Sequence, residues 1–184
     1  MTNDIFVYFL KKQYNYLNMK KILLVSIILL GAQIGFSQNY KLHSVYMYSF
    51  TRYILWPDAY NQGDFEILVL GDSPILEELK SMAQAKKVGD RAIKVSKISN
   101  PSDIRKCNML FVTASKSGKI DDILLKVGTQ SILVISEEAG LGAKGSNINF
   151  IVKDGKLVFE LNQGTINKQS LKVSSELSRL AILI

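Results

Sequence analysis

Short apolar runs of strand length alternate with helical patterns along most of the chain, and this alternation restricts the fold more than any other feature. The runs FEILVL at 65–70, MLFVT at 109–113 and SILVIS at 131–136 carry almost no polar residue. Such runs are typical of strands that are buried on both faces of a parallel sheet. Between them, residues 75–85, with apolar positions at Ile75, Leu76, Leu79 and Met82, and residues 120–127 show the apolar spacing of helices.

A further alternating run, AIKVSKI at 92–98, predicts another strand. Near the C-terminus, INFIV at 148–152 and KLVFELN at 156–162 flank Lys153-Asp154-Gly155. An Asp-Gly pair favours a hairpin, because both central residues of such a turn need positive φ. We therefore predict an α/β fold with a mainly parallel sheet flanked by helices, in a Rossmann-like three-layer arrangement. An antiparallel C-terminal hairpin and a packed helix from about residue 171 to 182 complete it.

The N-terminal segment has the pattern of an export signal. Met19-Lys20-Lys21 precedes an apolar run that is shorter than the roughly 20 residues needed to cross a bilayer. Gly35-Phe36-Ser37 then places small residues where a signal peptidase reads them. We predict cleavage after Ser37 and a periplasmic location, with an uncleaved membrane anchor as the alternative. The predicted boundaries are 1–18 for an extension from a start codon assigned too far upstream, 19–37 for the signal peptide and 38–184 for a single domain.

Composition argues against several classes of function. The net formal charge is +7, but the lysines are scattered and form no basic stripe of the kind that binds nucleic acid. Cys107 is the only cysteine and His43 the only histidine, so neither an intrachain disulfide nor a transition-metal site is expected. Nucleophile-elbow, P-loop and Cys-x-x-Cys motifs are absent. We predict a non-catalytic protein with no metal or cofactor; a Ser–His pair that uses His43 stays open as a third hypothesis.

The stretch VYMYSFTRYILWP at 45–57 is rich in aromatic residues. We predict a helix over 40–56 that Pro57 stops, because the residue before a proline is disfavoured in the α region. Tyr48, Arg52 and Leu55 fall outside the centre of its apolar side, and Tyr48 and Arg52 are spaced so that they can stack. Tyr and Arg dominate binding hot spots, so these three residues form a candidate partner patch. The predicted core side consists of Leu42, Val45, Tyr46, Phe50, Tyr53, Ile54 and Trp56.

Two glycine-containing segments invite a ligand interpretation. Asp72 and Ser73 follow the run at 65–70, at the strand end where α/β sheets commonly bind ligands, although a turn and a helix cap explain them equally well. The segment at 140–145 spells G-x-G-x-x-G but leads into a strand instead of a helix. We interpret it as a flexible loop, with an anion-binding nest around Lys144 as an open alternative.

The order of several segments resembles the periplasmic YfiR-like family from Tyr40 to the C-terminus. The matching segments are Y-x-Y-x-F-x-R-Y-x-x-W-P at 46–57, LVLGD at 68–72, MLFVTAS at 109–115, INF at 148–150, FELN at 159–162 and LKVSSELSRLA at 171–181. The resemblance implies a periplasmic α/β domain, often dimeric, that regulates and does not catalyse. The best-known type of this family restrains an inner-membrane diguanylate cyclase through the periplasmic region of that cyclase, and an outer-membrane-associated lipoprotein relieves the restraint.

The chain departs from its apparent relatives at two positions. Relatives often carry cysteine pairs, and Cys107 matches one such position, but Leu68 stands where its partner is expected. Redox control through that disulfide is therefore not expected. His43 stands where relatives commonly have Lys.

Polar residues interrupt the matching apolar segments and predict a buried network that joins the first helix, the hairpin and the last helix, because buried polar groups must be paired. They are Arg52, Asn149, Glu160, Asn162, Ser174, Ser175 and Arg179. Such a network either locks the helices onto the sheet or lets Arg52 and Arg179 flank a partner seam, with Glu160 holding one of them. The leading hypothesis is a regulator of an inner-membrane signalling protein. The alternative is a small-ligand module that uses the turn near Asp72.

Overall fold

The computed structural model describes residues 40–184, so the predicted extension and signal peptide lie outside the described residues. The strands are β1 (Ile54–Leu55), β2 (Phe65–Leu70), β3 (Lys87–Val88), β4 (Arg91–Ile98), β5 (Met109–Val112), β6 (Leu133–Ser136), β7 (Ile148–Lys153), β8 (Lys156–Leu161), β9 (Lys172–Val173) and β10 (Ile182–Leu183). The helices are α1 (40–53), α2 (Ile75–Ala85), α3 (Ile120–Val127), α4 (Leu141–Lys144), α5 (Gln163–Lys168) and α6 (Ser175–Leu180).

Eight of the strands form one sheet in the order β10-β8-β7-β6-β5-β2-β4-β3. The central strands β4, β2, β5, β6 and β7 run parallel, whereas β8 is antiparallel to β7 and β3 is antiparallel to β4. The strand order reverses at β2, which pairs with β4 on one side and β5 on the other. The predicted α/β fold with a mainly parallel sheet and a C-terminal hairpin is confirmed.

Both faces of the sheet are covered, as the apolar runs predict. In β2, Ile67 and Val69 face a core that includes Phe50 of α1 and Leu79 of α2. Leu68 and Leu70 face the opposite side and pack in a second core beneath α3. This division explains why β2 is apolar at successive positions, and it makes three layers.

The hairpin between β7 and β8 turns at Asp154 and Gly155, as the sequence predicts. Asp154 and Gly155 both have positive φ, 51° and 72°, as the tight turn requires. Lys153 and Lys156 are opposite each other in the register. The bounds of α2 and α3 also agree with the prediction, and Gly128, with a φ of 58°, ends α3.

The predicted end of α1 is wrong. The helix ends at residue 53, and Ile54–Leu55 form β1, which pairs antiparallel with β9. The backbone N–H of Ser174 also donates to the carbonyl of Tyr53 at 2.8 Å. These distant partners replace the hydrogen bonds that another helical turn would have made.

The predicted core side of α1 is also partly wrong. Leu42 and Val45 are exposed, whereas His43, Ser44 and Met47 are buried. Phe50 is buried as expected. The side of α1 that packs on the sheet is therefore rotated around the helix axis from the side that the aromatic pattern predicted.

The C-terminal segment at 171–182 is not one helix. It forms β9, the short helix α6 and then β10, which joins the main sheet beside β8 with Ile182 paired to Glu160. The side chain of Ser174 caps α6 by accepting from the N–H of Leu177 at 3.2 Å. The G-x-G-x-x-G segment is a packed helical turn, α4, with Leu141 and Gly142 buried, and not a flexible loop.

Candidate partner-binding groove

A groove of about 500 Å³ separates α1 from α2 on one face of the sheet. We call it the α1–α2 groove. It contains Tyr48 and Arg52, two of the three residues of the predicted partner patch. The lining residues are Lys41, Ser44, Val45, Tyr48, Ser49 and Arg52 from α1, with Glu78, Ser81, Met82, Ala85 and Lys86 from α2 and its end.

Two positively charged side chains lie near the ring of Tyr48 in this groove. The guanidinium carbon of Arg52 lies 5.0 Å from the centre of the ring, so the predicted stacking is confirmed. The ammonium nitrogen of Lys86 lies 5.8 Å from the same centre. The Tyr48 hydroxyl donates to the backbone carbonyl of Lys87 at 3.3 Å. Two cations from different elements are thus held against one aromatic ring.

Apolar side chains surround that ring. Val45 is 54% exposed, and the side chains of Met82 and Ala85 line the facing helix. A concave surface with apolar side chains, a half-buried tyrosine and an exposed arginine has the composition of a protein-binding hot spot. This composition makes the groove a candidate partner site.

Leu55 does not line the α1–α2 groove. It is 65% exposed, but it belongs to β1 and borders a second groove with Trp56, Ser170 and Lys172. The sequence associated Leu55 with Tyr48 and Arg52 only because the helix was expected to continue. The partner patch is therefore divided between two surfaces.

The turn at Asp72 and Ser73 is engaged by its own neighbours. Asp72 makes an ion pair with Lys97. Ser73 Oγ accepts from the N–H of Ile75, the first residue of α2, at 3.3 Å, and Pro74 occupies the N-cap position. Burial raises the pKa of the Tyr40 hydroxyl at the start of α1, which has Ser73 and Glu137 as neighbours. Ser73 is therefore engaged within the turn, whereas the Asp72 side chain remains 88% exposed.

The remaining part of this strand end is closely packed. The Thr113 hydroxyl donates to the carbonyl of Leu70 at 2.9 Å and lies 2.9 Å from the Ser115 hydroxyl. The Glu137 carboxylate accepts from the N–H of Ala114 at 3.0 Å. Burial is the main cause that raises the pKa of Glu137 above its ordinary value.

A buried polar cluster lies where β6, β7 and β8 meet. Ser136 Oγ is 2.7 Å from Asn149 Oδ1, and Asn149 Nδ2 donates to Glu160 at 2.8 Å. Nearby, Asn162 caps α5 by accepting from the N–H of Thr165 at 3.1 Å. Asn149, Glu160 and Asn162 therefore lie close together, as the sequence suggested.

The two arginines do not join this cluster, and the single network predicted from the sequence is wrong. Arg179 lies 3.7 Å from Glu176 on the exposed side of α6. Arg52 lines the α1–α2 groove, with its side chain exposed. An exposed guanidinium keeps its hydration, whereas a buried one would need full pairing to offset its desolvation.

A model of the YfiR/HmsC-like family matches residues 40–182, which include both helices of the groove and nearly the whole sheet. The chain belongs to the YfiR/HmsC-like family. The resemblance inferred from the sequence is thus confirmed. No curated protein matches the chain in sequence.

The reactive side chains of this YfiR/HmsC-like domain are enclosed. His43 is buried, and its ring centre lies 4.4 Å from that of Phe150 and 5.3 Å from that of Tyr40. Burial raises the pKa of the Cys107 thiol to about 12, which disfavours the reactive thiolate. Within residues 40–184, no group of His, Cys, Asp and Glu could hold a metal ion, and no helix is long and apolar enough to cross a bilayer.

Sequence reasoning missed the half of the groove that comes from α2. Met82 was assigned to the apolar face of this helix, but Ala85, Lys86 and Glu78 were not considered as site residues. Of the four apolar positions predicted for α2, only Ile75 and Leu79 are fully buried, so Met82 remains available to the groove. The helical spacing identifies the apolar side of α2. The order of the elements along the chain does not show which helix packs beside it.

Proposed function

We propose that this YfiR/HmsC-like protein is exported by the segment at 19–37 and acts in the periplasm as a non-catalytic regulator. In this proposal it binds and restrains the periplasmic region of an inner-membrane signalling protein, such as a diguanylate cyclase. The observation that carries the proposal is the α1–α2 groove, where Tyr48 and Arg52 form an accessible pair on a domain of this family. Burial of His43 favours a binding role over a catalytic one.

Restraint requires a preference for one state of the partner. A bound protein shifts a signalling equilibrium only by its difference in affinity for the two states. The groove would hold the inactive arrangement of the partner, with Tyr48 and Arg52 as anchors. Release would follow when a competitor, in this proposal an outer-membrane-associated lipoprotein, binds the regulator. The proposal also includes a homodimer, because the family resemblance implies a domain that is often dimeric.

The ligand-binding alternative at Asp72 and Ser73 has less support. Asp72 makes a surface ion pair with Lys97, and Ser73 Oγ accepts from the N–H of Ile75. A ligand at this turn would compete with contacts that the protein already makes.

Capture from living cells tests the proposal. The full chain would be expressed in its own host and crosslinked in the periplasm, and its adducts would be recovered with antibodies and identified from the membrane fraction. We expect one inner-membrane signalling protein, with at least about a tenfold lower yield for Arg52→Ala, the loss that roughly 1.4 kcal/mol of binding free energy gives.

Arg179→Ala is the matched control, because it removes an equally exposed helical arginine outside the groove. Its yield should equal that of the unaltered chain. Recovery of nothing above background from the unaltered chain would contradict the proposed function. Loss with Arg179→Ala but not with Arg52→Ala would move the partner site to α6.

A further inference from the structure

The shape of the α1–α2 groove suits an elongated segment. Along α1, its lining extends from Lys41 to Arg52, which corresponds to about 16 Å at the rise of an α-helix. That distance matches roughly three turns of a helix laid alongside. Amphipathic helices commonly bind in grooves of this kind, with their apolar face inward.

The side chains in the groove define the apolar half of such a segment. Val45, Met82 and Ala85 offer aliphatic contacts on either side of the Tyr48 ring. Methionine adapts its shape to different apolar partners, because its side chain is unbranched and flexible. One face of the bound segment should therefore be apolar.

The charges define the other half. Lys41, Arg52 and Lys86 are all exposed, and none of the three makes an ion pair with a carboxylate of residues 40–184. Among the described residues, Glu78 is the one carboxylate that lines the groove, so cations are in excess. Arg52 can also hold a carboxylate with two parallel hydrogen bonds, which a lysine cannot.

On the basis of the proposed function, we infer that the α1–α2 groove binds an acidic amphipathic helix from the periplasmic region of the partner. Its apolar face contacts Val45, Tyr48 and Met82, and its carboxylates meet the cations at Lys41, Arg52 and Lys86. A second copy of this chain is a poor occupant. A symmetric contact through the same groove would bring the same cations together.

The probe is a fluorescent amphipathic helical peptide made of Leu, Ala and Glu, with matched peptides that carry Gln or Lys in place of Glu. Binding is measured by fluorescence anisotropy with protein purified from cells that express the full chain. We expect the Glu peptide to bind at least about tenfold more tightly than the Gln peptide, a difference of roughly 1.4 kcal/mol. Added salt should reduce this preference, because it screens exposed charges.

Charge reversal assigns the preference to the groove. The triple variant Lys41→Glu, Lys86→Glu and Arg52→Glu should prefer the Lys peptide. The triple variant Lys119→Glu, Lys126→Glu and Lys153→Glu changes the net charge equally at exposed positions outside the groove and should still prefer the Glu peptide. Thermal melts verify folding, and the single variant Arg52→Glu replaces the groove triple if that triple does not fold.

The inference would be overturned by no binding of the Glu peptide, by equal binding of the Glu and Gln peptides, or by equal loss in the two triple variants. Binding of anionic lipid vesicles in place of the peptide would also overturn it. If the peptide binds as expected but no membrane protein is captured from cells, the proposed function fails and the chemistry of the groove stands. If capture succeeds and is unchanged in the groove triple variant, the groove inference fails and the regulatory proposal stands.

Discussion

The α1–α2 groove and the carboxyl edge of the sheet differ in how much of their binding capacity the protein itself uses. At the edge, where β2, β5 and β6 end, the side chains of Thr113 and Glu137 hydrogen-bond to neighbouring segments, and Ser73 Oγ accepts from the N–H of Ile75. In the groove, Tyr48 and Arg52 contact each other but remain accessible. The edge is closed by its own side chains, and the groove is open.

This difference bears on how the fold is used. Open α/β sheets commonly bind ligands at the carboxyl edge, where the strand order reverses. Here that reversal lies at β2, and Gly71 packs against Thr113 directly after it. The edge therefore contributes to stability, and we assign binding to the helical layer. Substitutions at the edge should mainly lower stability, whereas substitutions in the groove should mainly lower binding.

The largest effect is expected for Gly71→Ala, at the closed edge. Gly71 has a φ of 100°, and a Cβ there would lie 2.3 Å from the Thr113 hydroxyl oxygen. Strain and overlap together should lower the free energy of unfolding by about 2–4 kcal/mol, measured by chemical denaturation. Gly63→Ala is the control, because it has a φ of 68° with nothing within 4 Å of the added carbon. Equal losses in both variants would show that the edge is not closely packed.

Asn149→Ala should have the next largest effect. Asn149 is fully buried and connects Ser136 to Glu160, so its removal leaves polar groups without partners. We expect a loss of about 1–3 kcal/mol in the free energy of unfolding. The control Asn61→Ala removes a hydrogen bond from an exposed asparagine and should lose less. If both variants lose the same free energy of unfolding, the buried cluster stabilises the fold no more than an exposed hydrogen bond does.

Arg52→Ala, in the groove, should change stability very little. Its guanidinium is exposed, and a cation–π contact at an exposed site contributes about 0.5–1 kcal/mol. The melting curve should therefore stay cooperative while capture of the partner falls. Loss of the cooperative transition would make Arg52 a structural residue and would remove the contrast between the two regions.

The smallest effect is expected for Glu137→Gln and depends on pH. Because burial raises the pKa of Glu137 above 4.5, its protonated form favours the folded state. This contribution is complete below the ordinary pKa and is lost as pH rises through the raised value. The Gln variant should thus be more stable than the unaltered chain at neutral pH, by on the order of 0.5 kcal/mol, and the gap should close in acid. Exposed Glu138→Gln is the control, and a difference that stays constant from acidic to neutral pH would refute this explanation.

Local signals were enough to predict much of the fold. The apolar spacing predicted α2 and α3, and the Asp154-Gly155 turn predicted the hairpin. The two main errors, at Ile54–Leu55 and at 171–182, have one cause. The segments β1 and β9 pair with each other across more than a hundred residues, and no local pattern reports such pairing.

The candidate site was predictable only in part for a similar reason. Spacing along one helix brought Tyr48 and Arg52 together, as the structure has them. The contribution of Met82 and Lys86 depends on which helix lies beside α1, and this is decided by packing on the sheet. The sequence also placed Arg52 and Arg179 in one network, because it could not distinguish an exposed polar residue from a buried one.

Site-specific photocrosslinking in the periplasm tests most directly the claim that the α1–α2 groove is the partner surface. A photoreactive residue would replace Ser81, which is exposed in the groove, or Leu125, which is 84% exposed on α3. We predict that the Ser81 position yields an adduct with an inner-membrane signalling protein and that the Leu125 position does not. An adduct from Leu125 together with none from Ser81 would contradict this assignment of the partner surface.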